Sequence, residues 1–400
     1  MKRSLLLSVA GGGLSILAMA AVANANGFSR GSADTDIIFE EGNFNLRTGA
    51  TYVSPSRTYT RNANPALVGT DYAADYVVPS LAAKLNITDN LRCAFTMVEN
   101  TGGDAEYAAP TASGKISEKF DTTELGMTCG ARFAVGPGNL WVLGGGFLED
   151  FDYLRLNDYS ALGFGDASLA LGGKDRGYRV GVAYEVPEIA FRTQLMYRSG
   201  TDYGAEGTIL SPAGVLALVL RNTGLPDSQN PFITLPPNTK VPVQAVGIGK
   251  LPQIVELKAQ SGIAPGWLAF GSVKWTNWSV QETLDIRAAK DGFLISRDRY
   301  YWTDGWTITG GVGHAFTDDI SGAVSLTWDQ GVGTGWDIQT DTWTLAAGLT
   351  AKDKLGGEIR AGLGVSYLTG GEETKYAPGR NSAVEDGWGY AASLSYKVKW

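Results

Sequence analysis

The chain closes on WGYAASLSYKVKW, residues 388–400. Every second residue is large or apolar: Trp388, Tyr390, Ala392, Leu394, Tyr396, Val398 and Trp400. Between them stand Gly389, Ala391, Ser393, Ser395, Lys397 and Lys399. A period of two describes a β-strand with one apolar and one polar face. The rings, Trp388, Tyr396 and Trp400 among them, all fall on one face and toward its two ends.

The pattern recurs along the chain. Val324, Leu326 and Trp328 alternate with Ser325, Thr327 and Asp329. Trp343, Leu345, Ala347 and Leu349 alternate with Thr344, Ala346, Gly348 and Thr350, and Ile359–Tyr367, Tyr178–Val186 and Phe191–Arg198 behave alike. Fourteen such strands begin near Phe44, Tyr76, Leu91, Thr123, Leu140, Tyr178, Ala190, Ile254, Trp267, Trp302, Ile320, Asp341, Gly356 and Gly387. Their connections alternate in length. NITDN, AVGPGN, EVPE, IAPG, FTDD and AKDKL are short, whereas the others are mostly much longer, the longest running from about residue 201 to 250.

An even strand number with short turns at one end and long loops at the other describes a bacterial outer-membrane barrel. In lipid each backbone polar group needs an internal partner, so strands span only as a closed barrel. Rings near strand ends suit its aromatic girdles. A soluble propeller or sandwich also has many short strands, but does not predict the alternation of loop length or a terminal ring. The fold class is therefore an all-β, 14-stranded antiparallel transmembrane β-barrel, residues 44–400, with both termini periplasmic. A terminal aromatic strand also resembles the signal read by the outer-membrane assembly machinery.

The other end of the chain agrees. Lys2 and Arg3 precede an apolar run from Leu5, and Ala23-Asn24-Ala25 follows. These are the three regions of a signal peptide, residues 1–25, cleaved after Ala25. The expected location is the outer membrane of a Gram-negative cell. The chain carries a net charge of −8, and more once Lys2 and Arg3 are removed. An exported acidic protein has no basic face for nucleic acid. Cys93 and Cys129 fall on neighbouring strands, and export permits a disulfide between them, although spacing leaves two buried thiols as the alternative.

Catalysis is nearly excluded by inventory. The one histidine, His314, sits on the expected outward face near a short turn, not in a water-excluding pocket. Glu149, Asp150 and Asp152 lack the ligand spacing of a calcium loop and read as a solvated loop, able to face lipopolysaccharide phosphates through divalent ions. No cofactor and no metal site is expected. SPAGVLALVLRNTG, residues 211–224, is more informative. Ser211 and Pro212 suit a helix start and Gly224 its end. Val215, Leu216, Leu218, Val219 and Leu220 make this loop helix apolar nearly all round. It buries itself against other loops or against a hydrophobic ligand, as a capture site. Residues 26–43, which include Gly27 and Phe28, are long enough to fold inward as a plug, or hatch, in a lumen this wide. A periplasmic tail is the alternative.

These residues together resemble the FadL family of outer-membrane long-chain fatty acid transporters, over essentially the whole mature chain. Gly27-Phe28 matches the family's mature start. LPQIVELKAQSGIAPGWLAFGSVKWTNWS, residues 251–279, is the most similar stretch, with its Leu-Pro strand start, Pro-Gly-Trp turn and Trp275-Thr276-Asn277-Trp278-Ser279 end. The resemblance implies a monomeric barrel with an N-terminal hatch. It implies capture of a long-chain fatty acid or another hydrophobic ligand among the outer loops, passage to an inner pocket, and passive lateral exit through a kink in the third strand. Asn100, Gly102 and Gly103 fall where that kink belongs; an ordinary strand end is the alternative. The pattern also departs from the family. Asn64-Pro65-Ala66, a motif of the family's hatch, here follows the first strand. Glu99 stands near where the family's pocket has a small polar residue, and Trp302 near where a cation is expected. Both changes disfavour a carboxylate by charge, with Arg155 as the candidate to compensate. Neutral hydrocarbons or aromatics, and a general diffusion porin, are the alternative functions.

Overall fold

The computed structural model describes residues 27–400 apart from 223 and 355. The expected signal peptide and its cleavage site lie outside the described residues. The fourteen wall strands are β1 (Phe44–Ser54), β2 (Tyr76–Asn86), β3 (Leu91–Glu106), β4 (Lys115–Val135), β5 (Gly138–Asn157), β6 (Ala167–Val186), β7 (Phe191–Arg198), β8 (Ile254–Ala264), β9 (Trp267–Thr276), β10 (Gly305–Ala315), β11 (Ile320–Asp329), β12 (Thr342–Lys352), β13 (Glu358–Leu368) and β14 (Gly387–Lys399). Each pairs antiparallel with its neighbours, and β1 closes the ring by pairing Thr48 with Leu81 of β2 and with Tyr396 of β14. This is the closed 14-stranded barrel that the alternation predicts.

The alternation does what the period of two requires. On β13 and β14, Leu363 and Leu394 face outward at 68% and 62% exposure, whereas Glu358, Arg360 and Lys397 are buried in the lumen. Aromatic residues line up in register near one rim: Trp328 opposite Trp343, Trp343 opposite Tyr367, and Tyr367 opposite Trp388. The other rim carries Trp267, Phe316 and Trp400, the last with its ring 5.4 Å from Phe44. His314 sits at that rim against Trp267, with Nδ1 3.0 Å from the Gly266 carbonyl.

Expectations about the strands are corrected at several points. The long loop from about 201 to 250 is largely a β-hairpin, Thr201–Pro212 paired with Lys240–Leu251. It continues the wall outward: Ile209 pairs with Leu169 of β6, and Gly247 with Ile286 of a second hairpin, Thr283–Ala288 and Leu294–Arg299. Gly200, Gly204, Gly207, Pro242, Gly247 and Gly249 dilute the apolar alternation there, so the period is hard to read. The fourth and sixth strands begin at Lys115 and Ala167 rather than near Thr123 and Tyr178, and the fifth runs on to Asn157, so the ladder continues past the apolar alternation. Glu149, Asp150 and Asp152, read as a solvated loop, lie in this fifth strand, with Glu149 buried. The tenth begins at Gly305, leaving Trp302 in the preceding connection.

Residues 27–43 enter the lumen. A 3-10 turn, Thr35–Phe39, buries Ile37 and Ile38 completely against Ala82, Ala94, Trp141, Leu143 and Ala183. Polar ties fix it to the wall. Asp36 pairs with Lys258 at 3.2 Å. Lys84 Nζ donates to the Glu40 and Gly42 carbonyls at 2.7 and 2.6 Å. Glu40 faces Arg47, Lys397 and Arg360. Burial opposes its charge, but these cations outweigh burial and hold its carboxyl at about 2.

Candidate binding cavity and wall opening

The wall has a break between β2 and β3. Their pairing runs from Asn86–Arg92 to Ser80–Val98 and then stops, although β2 stays paired to β1 up to Tyr76. Contact resumes only at a single bridge, Ala73 to Ala105. The cause lies on β3. Against β4, Glu99 pairs with Thr123 and Thr101 with Thr122, so Asn100 is an extra residue. Such a bulge bends its strand and ends local pairing. Asn100 is held in place: its Nδ2 donates to Glu149 Oε1 at 2.5 Å, and its Oδ1 accepts from Thr122 Oγ1 at 2.7 Å.

The N-terminal segment fills the break. Ser29 bridges Thr101, the Arg30 N–H donates to the Asn100 carbonyl at 2.9 Å, and the Gly102 N–H donates to the Phe28 carbonyl at 2.9 Å. Backbone groups that β2 leaves open thus find partners, as buried amides must. Arg30 is buried, ion-paired to Glu99 and to Asp104 (3.2 Å), with its guanidinium 4.0 Å from the Tyr76 ring centroid. The next residue must be glycine. A Cβ on Gly31 would lie 2.6 Å from Val98 Cγ2 and 2.7 Å from the Glu99 carbonyl oxygen.

Phe28 points to the other side, into an aromatic box. Its centroid is 4.5 Å from Phe120, 4.6 Å from Trp302, 5.5 Å from Tyr300 and 6.0 Å from Trp278. Trp302 donates from Nε1 to Asp337 Oδ2 at 2.8 Å. Burial pushes Asp337 up to about 7; the Trp302 N–H opposes the shift and the Glu373 charge adds to it. The box borders a cavity of about 350 Å³, lined on one part by Phe28, Phe120, Phe151, Tyr153, Tyr203, Leu251 and Leu284, and on another by Arg57, Tyr72, Tyr107 and Tyr376. This volume lies in the range of small-molecule sites.

A further space lies on the other side of the N-terminal segment. A second cavity of about 90 Å³ touches Ser29, Gly31 and Ser32 and is lined by Glu124, Arg179, Arg198 and Lys258. Glu124 pairs with Arg198 at 2.8 Å and with Arg179; Arg198 also pairs with Glu149. Met196, Leu251, Ile254 and Trp278 also line this cavity, so ion pairs and apolar side chains share it as they share the first, where Asp104, Lys115, Glu118 and Asp298 stand beside the rings.

The sequence candidates are thus distributed. Gly27, Phe28, Gly102 and Gly103 meet at the first cavity, and Asn100 forms the bulge. Glu99, Arg155 and Trp302 do not form one pocket: Glu99 is in the wall break with Arg30, Trp302 is in the aromatic box, and Arg155 is buried beside Asp298 (3.5 Å) and Ser296 (3.0 Å). The apolar helix spans Ala213–Asn222 at the tip of the long hairpin and does not line the cavity. Val215 and Leu216 are buried there, whereas Leu218, Val219 and Leu220 are half-buried. Gly224 has φ +85°, the left-handed conformation that ends a helix. Cys93 and Cys129 are disulfide-bonded across β3 and β4, below the break. Sequence reasoning missed Arg30, Arg57 and Asp337; single charged residues in polar loops carry no periodic signal.

Residues 17–321 match the family described as outer membrane protein transport protein (OMPP1/FadL/TodX). A long-chain fatty acid transport protein of Escherichia coli O6:H1 is 22% identical over 385 residues, covering 84% of this chain and 79% of that protein. A Pseudomonas aeruginosa FadL homologue superposes with a TM-score of 0.73 at 13% identity, over 95% of this chain and 99% of the other. The Pseudomonas putida toluene transporter TodX gives 0.62 at 13% identity, over 96% of each.

Proposed function

The chain belongs to the OMPP1/FadL/TodX family of transport proteins of the Gram-negative outer membrane, and we propose that it takes up hydrophobic molecules, long-chain fatty acids first among them, by lateral exit through its wall. The observation that carries this reading is the break between β2 and β3, closed by Phe28–Arg30 rather than by a strand. A ligand gathers at the half-buried Leu218, Val219 and Leu220 and passes to the aromatic chamber. Displacing Phe28 withdraws Ser29 and Arg30 from the break, and the ligand leaves into the bilayer. The alternative exit, down the axis, crosses the ion-paired lumen and the anchored turn Thr35–Phe39. No energy source is needed, so movement follows the gradient. A general porin needs an open lumen, whereas here the turn Thr35–Phe39 packs across the lumen against the wall.

A second reading, uptake of neutral aromatics, is favoured by the aromatic lining and by the likeness to a toluene transporter. Labelled oleate and labelled toluene offered to a host lacking its own fatty acid transporter, with and without this protein, separate the two. Uptake of neither, with the barrel folded in the membrane, rejects both.

A further inference from the structure

We propose that Arg57 is the head-group anchor of the aromatic-lined cavity, a buried guanidinium placed to hold the carboxylate of a hydrophobic acid. The inference rests on the uptake reading above and names the residue that selects among hydrophobic cargoes.

Four basic side chains line the cavity: Arg30, Arg57, Lys115 and Arg299. Arg30 faces Glu99 and Asp104. Lys115 faces Glu118 at 2.8 Å and Asp298 at 3.1 Å. Arg299 is exposed and lies over the Trp336 ring at 4.9 Å. Arg57 differs from all three. It is 7% exposed, and among the described residues no carboxylate lies within ion-pairing distance of it. Its Nη1 donates to Thr340 Oγ1 at 3.1 Å and to the Thr369 carbonyl at 2.7 Å. Nε and Nη2, the edge that grips a carboxylate through two parallel hydrogen bonds, make no hydrogen bond among the described residues.

The nearby carboxylates are committed elsewhere. Asp71 Oδ1 accepts from the backbone N–H groups of Arg57 (2.8 Å) and Ala73 (3.0 Å). Asp386 accepts from the Tyr367 hydroxyl and the Gly370 N–H, both at 2.6 Å. Asp71 and Asp386 act on Arg57 only from beyond ion-pairing distance; arginine does not escape by losing its proton, and a largely buried guanidinium without an ion-pair partner is costly. A ligand carboxylate relieves that cost and gains the bidentate geometry, while Phe120, Phe151, Leu251 and Leu284 take the apolar body in the same cavity. A neutral hydrocarbon gains only the second contribution.

The test compares oleate with oleyl alcohol, a neutral ligand of the same chain, on the purified full-length protein in detergent. Binding is read by tryptophan fluorescence for the native protein, Arg57→Gln and Arg57→Lys. The native protein is expected to prefer oleate. Arg57→Gln lowers oleate affinity about 10- to 100-fold and leaves oleyl alcohol unchanged, with Arg57→Lys between. Loss of both ligands alike, or of neither, overturns the anchor. If the variants do not fold, the native protein decides alone: equal affinity for the two ligands rejects the anchor and leaves the uptake reading standing, whereas binding of neither rejects both.

Discussion

Arg30 and Glu99 form an ion pair within the barrel wall, one side chain from the N-terminal segment and the other from β3. Asp104 completes the site from the far side of the bulge. Removing the cation leaves two carboxylates in a poorly solvated cleft, a loss of about 3–5 kcal/mol for a buried pair. Arg30→Ala is therefore expected to unseat Phe28–Arg30 and to raise the ion conductance of the barrel in planar bilayers. An unchanged conductance would show that the seal does not depend on this pair.

Asp337 gives a pH dependence with a defined sign. Its carboxyl titrates at about 7 in the folded protein against an ordinary value of 3.8. Between those values the folded state holds the extra proton, so its stability falls as pH rises from about 4 to 7 and levels off above. The slope for one proton is at most about 1.4 kcal/mol per pH unit. Burial also raises Glu373 nearby, and its titration adds in the same sense. Asp337→Asn removes only the first share. The variant's unfolding temperature should fall less than that of the native protein between pH 4.5 and pH 7.5. Parallel curves would mean that Asp337 is ionised throughout.

The helix tip separates capture from packing. Leu218 and Leu220 are half-buried, whereas Leu216 is 5% exposed. Leu218→Asp with Leu220→Asp should reduce oleate uptake several-fold while the barrel still inserts. Leu216→Asp should instead loosen the hairpin tip, seen as faster proteolysis between residues 201 and 250. Full uptake by the double variant removes the helix from the route.

How far the sequence carried the reading follows from what each residue type announces. Leu363 and Leu394 announce the wall, because lipid on one side and a polar lumen on the other impose a period of two. Trp388 and Trp400 announce its two rims. Asn100 with Gly102 and Gly103 marks the break, since a bulge needs an extra residue and the glycines let Phe28 and Arg30 approach the backbone. Arg30 and Arg57 announce nothing. A lone arginine in a polar segment has no period, and only the fold shows that one sits in the wall and the other without an ion pair. The outer hairpin Thr201–Pro212 with Lys240–Leu251 was illegible for a related reason: its ladder hydrogen bonds are made by backbone, and glycine and proline thin out the side chains that reveal a strand.

The most direct test of lateral exit ties the hatch to the wall. Ser29 and Thr101 face each other across the bridge that closes the break. With Ser29→Cys and Thr101→Cys in one chain, oxidation locks Phe28–Arg30 in place and reduction frees it. Uptake of labelled oleate is measured in cells under both conditions. The native protein, with its own Cys93–Cys129 bond, serves as the control for the reductant. Lateral exit predicts that the locked barrel stops uptake and that reduction restores it. Uptake by the locked barrel at the native rate would contradict it and place the route elsewhere in the barrel.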